Sequence, residues 1–299
     1  DAPFCIFVNA WLQTAQGQFF CYTNINNKIG ADTMPYININ NKNIYYKQYG
    51  TGDPVVFLNG VMMSTNSWSP FIKTITKNYN MITVDLLDQG KSDSCEDEYT
   101  LNTQAQILKD FLDELKIKKV NLMGMSYGGK LAQVFTLNYP EKVRSLILSN
   151  TDSYTTNIMK DIGKSWEYAA STLDGDMFSV ITMPYMYSYN YYEKNYEDIL
   201  IKQKILSSIL NEEWYQRFKR NLDSAEDYNI LHKIKDIKVP TLIISSELDA
   251  ITPLKYQQLI HKGIEKSKWA IIKGTGHAAM YEKPDEYISI IMKFLKETL

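Results

Sequence analysis

The sequence predicts an α/β protein built on a parallel β-sheet, and three observations lead to this prediction. Short and solidly apolar runs recur along the chain, as is typical of strands buried on both faces of a parallel sheet. Segments with helical periodicity separate these runs. The chain has 299 residues, of which 44% are hydrophobic and 22% charged, so it can bury a large core. Strands that alternate with helices favour right-handed crossovers within one large domain.

The predicted strands begin with two alternating stretches between residues 36 and 49. YININ and part of NIYYKQY alternate apolar and polar residues, which indicates antiparallel edge strands. The apolar runs that follow are PVVFLNG (54–60), MITVDLL (81–87), VNLMG (120–124), SLILSN (145–150), TLIISS (241–246) and WAIIKG (269–274).

Amphipathic helices are predicted between the strands. One helical face is formed by residues spaced four and three apart, namely Leu101, Ala105, Leu108, Leu112 and Leu115. A similar face lies within residues 131–135. A third helix is predicted to begin with Thr252 as its N-cap and Pro253 in its first turn.

Residues 152–234 interrupt the alternation, because they contain helical stretches and no convincing core strand. They are rich in tyrosine and methionine, most densely in MPYMYSYNYYEKNY. We therefore expect a helical insertion that covers one end of the sheet. The predicted core then comprises residues 34–151 and 235–299.

Residues 1–33 differ from the rest of the chain. They are apolar and aromatic, carry almost no charge, and lack the basic start and cleavage site of a signal peptide. Met34 is followed at once by a strand-like run. We expect an N-terminal extension or leader outside the domain, and the alternative is an arm that covers an apolar patch.

Charge, hydropathy and cysteine content limit the classes of binding partner and the cellular location to expect. The net charge of −2 shows no electrostatic signature of nucleic acid or anionic membrane binding, and no apolar run approaches the roughly 20 residues needed for a membrane span. Cys5, Cys21 and Cys95 match neither a metal site nor a disulfide framework, which favours reduced thiols in a cytoplasmic protein. A Cys5–Cys21 bridge is the alternative. The sequence leaves open a monomer or a homodimer.

The motif Gly124-Met-Ser126-Tyr-Gly128 follows a predicted buried strand and precedes a predicted helix. A sharp strand-to-helix turn requires small residues on both sides, and it exposes the serine hydroxyl at the carboxyl edge of the sheet. Ligands bind at that edge in open α/β sheets. Ser126 is therefore a candidate nucleophile, and the alternative is a serine N-cap beside a glycine turn.

A serine nucleophile needs a base, and the chain has three histidines. His261 lies in a charged helical segment and is expected to face solvent, while His232 lies in a polar connection. His277 follows the last apolar run, so it lies on the same sheet edge as Ser126. Its position favours His277 as the base over a helix-capping or merely exposed histidine.

The base needs an acid that fixes its tautomer. Asp249 lies in SSELDAITP, directly after an apolar run, and the order Ser126, Asp249, His277 is typical of this architecture. Alternatively, Asp249 only stabilises the dipole of the helix near Thr252. Glu247 is a close competitor, and Asp152 is the other plausible acid.

Acyl transfer also needs donors for an oxyanion. The backbone N–H of Tyr127, at the start of a helix, is one candidate. The Val61 N–H, in the loop NGVMMS, is the other, with Gly60 leaving room for close approach.

These motifs together resemble the α/β-hydrolase fold family, in its capped serine hydrolase and esterase branch. The matching stretches are FLNG (57–60), VDLLDQGKSD (84–93), GMSYGG (124–129), VPTLIISSELDAITP (239–253) and GTGHAAMYEKP (274–284). The resemblance implies an eight-stranded, mostly parallel sheet flanked by helices, with a helical cap inserted after strand 6. It also implies Ser126 as nucleophile, His277 as base, Asp249 as acid, and Val61 and Tyr127 as oxyanion donors.

Two departures from the family pattern are visible. Asn59 stands where the family usually has histidine, and Asp88 and Gln89 stand where arginine or proline and then glycine are commoner. We expect the amide to replace the histidine hydrogen bonds, and the loop around residue 88 to make altered contacts without loss of chemistry.

The expected function is hydrolysis of a small-molecule carboxylic ester with an apolar or aromatic acyl group, through an acyl-enzyme and without metal or cofactor. A cap rich in tyrosine and methionine would line an adaptable pocket. The same triad would also serve a C–C bond hydrolase, a thioesterase or a cofactor-free perhydrolase or haloperoxidase. A ligand-binding receptor on this fold is the alternative from another class.

Overall fold

The computed structural model describes residues 35–298, so the predicted extension over residues 1–33, with Cys5 and Cys21, lies outside the described residues. The strands are β1 (Tyr36–Ile39), β2 (Lys42–Tyr49), β3 (Asp53–Leu58), β4 (Tyr79–Asp85), β5 (Val120–Met125), β6 (Val143–Ser149), β7 (Thr241–Ser246) and β8 (Ser267–Ile272). The helices are α1 (Ile72–Ile75), α2 (Leu101–Glu114), α3 (Tyr127–Asn138), α4 (Asn157–Ser171), α5 (Gly175–Met186), α6 (Tyr189–Lys194), α7 (Tyr196–Ile209), α8 (Glu212–Asp223), α9 (Leu254–Gly263), α10 (Ala279–Glu282) and α11 (Pro284–Glu297).

The eight strands form one sheet in the order β1-β2-β4-β3-β5-β6-β7-β8. β1 pairs antiparallel with β2, and β2 pairs antiparallel with β4. The remaining pairs are parallel, from β4–β3 through β7–β8. The predicted fold class, a mostly parallel sheet with an antiparallel edge, is therefore confirmed.

The sheet separates two hydrophobic clusters, because successive side chains of a strand point to opposite faces. Val56 and Leu58 of β3 pack in one cluster with α2 and α3, whereas Val55 and Phe57 pack in the other with α11. Strands buried on both faces explain why their sequences are apolar runs without alternation. Packing of helices on both faces of the sheet fixes the positions of the loops at the carboxyl ends of the strands.

β8 differs from its prediction as a strand buried on both faces. It is the last strand of the sheet, and most of its residues are half-buried or exposed, with only Ile272 fully buried. Its apolar sequence, WAIIKG, resembles that of the central strands, so the pattern alone does not reveal that it lies at the edge.

The segment between β6 and β7 contains the five helices α4 to α8, which we call the cap helices. They have a hydrophobic cluster of their own, in which Trp166, Phe178 and Phe218 are buried. Ile251 and Ala278, which follow β7 and β8, belong to the same cluster. The cap helices therefore pack against loops at the carboxyl edge of the sheet. The domain boundaries at 152 and 234 stay a prediction.

Within residues 35–298, every helix is too short or too polar to cross a membrane.

Candidate active site

Ser126 occupies a sharp turn between β5 and α3. Its backbone has φ 52° and ψ −115°, a left-handed conformation that a non-glycine residue rarely adopts. The Ser126 N–H donates to the Ser149 carbonyl at 2.9 Å, which ties the turn to the end of β6. Strain of this kind persists only where the surrounding structure enforces it. The strand-to-helix context predicted for Ser126 is present.

Two glycines make this turn possible because backbone crosses backbone there. A Cβ atom on Gly124 would lie 2.1 Å from the Gly128 carbonyl oxygen. A Cβ on Gly128 would lie 2.4 Å from the carbonyl oxygen of Leu58, on the neighbouring strand β3. Both distances are far below van der Waals contact, so only glycine fits at either position.

His277 and Asp249 are in direct contact, as the sequence predicted from their positions after β8 and β7. His277 Nδ1 lies 3.0 and 2.9 Å from the two Asp249 carboxylate oxygens, and both residues are 4% exposed. Asp249 also accepts from the Ile251 N–H at 2.9 Å and the Thr252 N–H at 2.8 Å. The Nδ1 contact leaves the other ring nitrogen, Nε2, available for a partner.

Thr252 has a different role from the predicted one. Helix α9 begins at Leu254 with Pro253 as its N-cap, so Thr252 does not cap it. The Thr252 hydroxyl instead donates to Asp249 Oδ2 at 2.7 Å. The Thr252 hydroxyl therefore holds the Asp249 carboxylate, three residues earlier in the same loop, rather than the first turn of α9.

The hydrogen bonds around Asp249 favour its charged form. Burial alone would raise the pKa of its carboxyl. The charge of His277 and the hydrogen bonds from His277 and Thr252 outweigh burial, so the pKa of Asp249 lies below its ordinary value. Asp249 therefore provides a carboxylate that can orient an imidazole and stabilise its protonated form.

The two competing acids have other partners. The Glu247 side chain is exposed and accepts from the Gly274 N–H at 2.8 Å. Asp152 is buried, and its carboxylate lies 3.5 Å from Lys130 Nζ. The geometry thus favours Asp249 among the three carboxylates that the sequence left open.

The other two histidines lie away from this arrangement. His232 is exposed, in a turn after the cap helices. His261 was expected to face solvent, and this expectation is wrong, because its ring is half-buried against Trp269 and its Nδ1 lies 2.8 Å from Ser267 Oγ. The hydrophobic face of α9 turns His261 toward the edge strand β8, a packing detail that charge pattern did not reveal.

Ser126 and His277 line one cavity of about 260 Å³ between the sheet edge and the cap helices. No hydrogen bond joins the Ser126 hydroxyl to the His277 ring among the described residues. Catalytic contacts are often loose in unliganded structures and tighten around a substrate. The wall is mainly apolar, and its buried members from the cap helices and the sheet-edge loops include Ile162, Trp166, Met183, Leu206 and Ile251.

The two predicted oxyanion donors also line this cavity. Tyr127 is the first residue of α3, and the first N–H groups of a helix have no acceptor within it. Val61 follows Gly60, whose own N–H points to Met63 Sδ at 3.3 Å. The Gly60 N–H is thus engaged within the loop, whereas Val61 and Tyr127 stay the predicted donors.

Asn59, the departure from the usual histidine, is 1% exposed and fully engaged. Its Nδ2 donates to the Val84 carbonyl at 3.0 Å and to Asp85 Oδ1 at 2.9 Å, and its Oδ1 accepts from Trp68 Nε1 at 2.8 Å. Gln89 Oε1 lies 3.4 Å from the same Nδ2. Asn59 and Gln89, both departures from the family pattern, therefore contact each other. The hydrogen bonds of Asn59 anchor the loop that carries Gly60 and Val61.

Asp88 connects the core to the cap helices. Its carboxylate forms a two-point ion pair with Arg220 of α8, at 2.9 and 2.8 Å. Arg217, one turn earlier, donates to the Ser92 carbonyl at 2.6 Å and to the Gln89 carbonyl at 3.3 Å. The expectation of altered loop contacts around residue 88 agrees with these bonds. Sequence did not predict the arginines, since more than 120 residues separate them from their acceptors.

Lys130 and Thr155 also line the cavity, and sequence reasoning missed both. Lys130 lies on α3 and is 5% exposed, although lysine is rarely buried. A signal was available, because Lys130 is the single charged residue in the stretch YGGKLAQVF, which is otherwise uncharged.

Comparison with known proteins agrees with this architecture. Residues 53–284 match the model of the alpha/beta hydrolase fold family. A proline iminopeptidase of Lactobacillus acidophilus is 28% identical over 263 residues, which cover 81% of this chain and 89% of that protein.

Solved structures show the same relationship. MGS-M2, an alpha/beta hydrolase enzyme from a Medee basin deep-sea metagenome library, is 33% identical, with a TM-score of 0.85 over 87% of this chain and 97% of that one. An esterase from Exiguobacterium antarcticum, at 20% identity, shares the fold with a TM-score of 0.76 over 87% of this chain and 98% of its own. The family and its relatives support a hydrolase. The chain belongs to the α/β-hydrolase fold family.

Proposed function

We propose that the protein is a serine hydrolase that cleaves a carboxylic ester through an acyl-enzyme. The observation that carries this proposal is that Ser126, in a strained turn, and His277, in contact with Asp249, line the wall of one apolar cavity. A nucleophile, a base and an acid are the groups that acyl transfer requires.

In the first half-reaction, Ser126 Oγ attacks the ester carbonyl carbon while His277 Nε2 takes the hydroxyl proton. The N–H groups of Val61 and Tyr127 stabilise the oxyanion of the tetrahedral intermediate. The C–O bond to the alcohol then breaks, and His277 returns its proton to the leaving alkoxide. The products of this step are a free alcohol and an acyl ester on Ser126.

In the second half-reaction, His277 takes a proton from a water molecule that attacks the acyl carbon. The intermediate collapses, the bond to Ser126 Oγ breaks, and His277 returns the proton to the serine. The free acid leaves, and the enzyme is regenerated. Asp249 stabilises the imidazolium in both halves without accepting the proton.

The test is turnover of 4-nitrophenyl butyrate and labelling by a fluorophosphonate probe. We expect Ser126→Ala to lose at least about a thousandfold in kcat and to resist labelling. Label located on a residue other than Ser126, or a Ser126→Ala variant with wild-type rates, would overturn the proposal. Both measurements use the full chain, including residues 1–33.

An aminopeptidase that acts on N-terminal proline is a second candidate, and the similarity to proline iminopeptidases favours it. Its chemistry needs the same three residues, so the two candidates differ only in substrate. L-proline 4-nitroanilide, compared with 4-nitrophenyl butyrate in kcat/KM, distinguishes them.

The C–C hydrolase, thioesterase and perhydrolase alternatives also keep the triad, and a substrate panel separates them. A ligand-binding receptor would show one slow turnover with retained product. The cytoplasmic location and the choice between monomer and homodimer stay predictions of the sequence.

A further inference from the structure

Lys130 places a cation inside the candidate active-site cavity. It lies four residues after Ser126 on α3, so about 6 Å of helix axis separates their Cα atoms. Side chains of a helix lean toward its N-terminus, which directs Lys130 toward the end where Ser126 lies. Lys130 is 5% exposed and lines the same cavity as Ser126.

The partners of Lys130 use only part of its hydrogen-bonding capacity. An ammonium has three N–H donors, and Lys130 Nζ donates to Thr155 Oγ1 at 2.7 Å. Its ion-pair contact with Asp152 Oδ1 is 3.5 Å long. The Tyr228 ring lies 5.3 Å from Nζ. Thr155 and Asp152 thus account for two of the three Nζ donors, and one donor remains for a ligand.

Lys130 lies in a cavity whose buried wall contains several large apolar side chains. The buried side chains that line the cavity include the apolar Ile162, Met183 and Leu206. A buried ion pair is often no more stabilising than apolar residues of similar volume, so the Lys130–Asp152 pair needs a further reason. Packing alone would be served better by methionine or leucine, which have similar volume and no charge.

We propose that Lys130, with Thr155, binds a carboxylate at the far end of the acyl group, so that the cavity accepts monoesters of short dicarboxylic acids. The inference rests on the proposed ester hydrolysis and names its substrate class. A four- or five-carbon diacid would place its ester carbonyl at Ser126 and its free carboxylate near Lys130 Nζ, since about 6 Å of helix axis separates the two residues. The apolar wall then holds the methylene groups between them.

The burial of the pair is consistent with this role. Burial lowers the pKa of Lys130 and raises the pKa of Asp152, so each charge is less favourable here than in water. A ligand carboxylate next to Nζ would stabilise the ammonium form. Lys130 lines the cavity and Asp152 does not, so a ligand in the cavity meets Lys130 directly.

The experiment compares three 4-nitrophenyl esters whose acyl chains have five carbons. Mono-4-nitrophenyl glutarate carries a free carboxylate, 4-nitrophenyl methyl glutarate masks it as a methyl ester, and 4-nitrophenyl pentanoate has no polar end. We expect the wild-type kcat/KM to be highest for the free carboxylate. Lys130→Met should lower kcat/KM about tenfold to hundredfold for that ester, mainly through KM, and by less than about threefold for the other two.

A matched lysine tests whether any positive charge near the cavity suffices. Lys160 lines the outer part of the same cavity and pairs with the exposed Asp227. Lys160→Met should leave the ratio between the three esters unchanged. An equal loss for all three esters in Lys130→Met, or no preference for the free carboxylate in the wild type, would overturn the inference.

Removal of Lys130 alone leaves Asp152 buried without a counterion, which can impair folding. The double variant Lys130→Met/Asp152→Asn removes both charges and should show the same loss of preference. Thermal unfolding of both variants shows whether they are folded.

A binding measurement separates this inference from the proposed function. Calorimetric titration of Ser126→Ala with monomethyl glutarate should give binding that dimethyl glutarate does not. That binding should disappear when Lys130→Met is added. If no ester is hydrolysed but this binding is found, the carboxylate site stands and the proposed function fails. If esters are hydrolysed without this binding, only the carboxylate site fails.

Discussion

The Asp88 carboxylate and the Arg220 guanidinium form a two-point ion pair at 2.9 and 2.8 Å between a core loop and cap helix α8. The Asp88 side chain is completely buried, and that of Arg220 is 17% exposed. Paired geometry of this kind is the strong form of a charge-assisted hydrogen bond. Asp88, a departure from the family pattern, therefore attaches cap helix α8 to the core.

Arg220→Ala should destabilise the protein by about 2–3 kcal/mol, because it leaves the Asp88 carboxylate buried without its partner. Lys219→Ala is the matched control on the same helix. Lys219 pairs with Glu167 and Asp223 at a more exposed position, so its loss should cost less than about 1 kcal/mol. Urea unfolding measures the loss in free energy of unfolding for both variants. Equal losses would contradict the role of the Asp88–Arg220 pair in attaching the cap helices to the core.

Asn59→Ala should reduce both stability and activity. It removes the acceptor of Trp68 Nε1 and a donor to Asp85, both buried, at a cost of about 2 kcal/mol. Because Asn59 directly precedes Gly60 and Val61, we expect kcat for 4-nitrophenyl butyrate to fall roughly tenfold as the loop shifts.

The comparison variant for Asn59 is Asn38→Ala, which breaks an exposed hydrogen bond to Asn43 on the edge hairpin. Its effect on the free energy of unfolding should stay within about 0.5 kcal/mol, with unchanged kcat. If Asn59→Ala behaves like Asn38→Ala, the network around residue 59 does not position the loop.

The parts of the fold and site that sequence predicts are those fixed by local pattern. Apolar runs predict the strands, and helical periodicity predicts the helices. Because Ser126, Asp249 and His277 each follow a predicted strand, they are predicted to lie at the carboxyl edge of the sheet. The sequence does not predict that β8 is an edge strand, because its apolar run resembles that of a central strand. Pattern also misjudged His261, which packs on Trp269.

Side-chain partners between distant segments could not be predicted. Asn59 with Gln89 and Asp88 with Arg220 lie 30 and 132 residues apart, and either pairing requires the loop and the cap helix to be already in place. The sequence predicts Thr252 as a helix cap, but α9 begins two residues later, and the Thr252 hydroxyl donates instead to Asp249, three residues earlier.

Gly128→Ala should prevent the turn at Ser126 from forming, because its Cβ would lie 2.4 Å from the Leu58 carbonyl oxygen, which cannot move without disturbing β3. We expect insoluble protein or a loss of more than about 3 kcal/mol. Gly163→Ala, in α4, has nothing within 4 Å of the new Cβ and should stabilise by up to about 1 kcal/mol. Equal stability of the two variants, measured by thermal unfolding, would refute the packing argument.

Asp249→Asn should lower kcat for 4-nitrophenyl butyrate roughly a thousandfold or more at neutral pH, because an amide cannot stabilise the imidazolium. It should also change the pH dependence of stability. The pKa of Asp249 lies below 3.8 in the folded protein, so its carboxylate contributes stability that is present above that pH and is lost as the pH falls through the folded value.

The wild type should therefore lose its stability advantage over Asp249→Asn as the pH falls below 3.8 and through the lowered pKa of Asp249, as measured by urea unfolding at several pH values. His277→Gln is the second comparison. It removes the charge and the ring hydrogen bond that lower the Asp249 pKa, so the pH-dependent advantage should shrink when Asp249→Asn is tested in that background. Parallel pH profiles for wild type and Asp249→Asn would mean that the folded carboxylate is not stabilised by its partners.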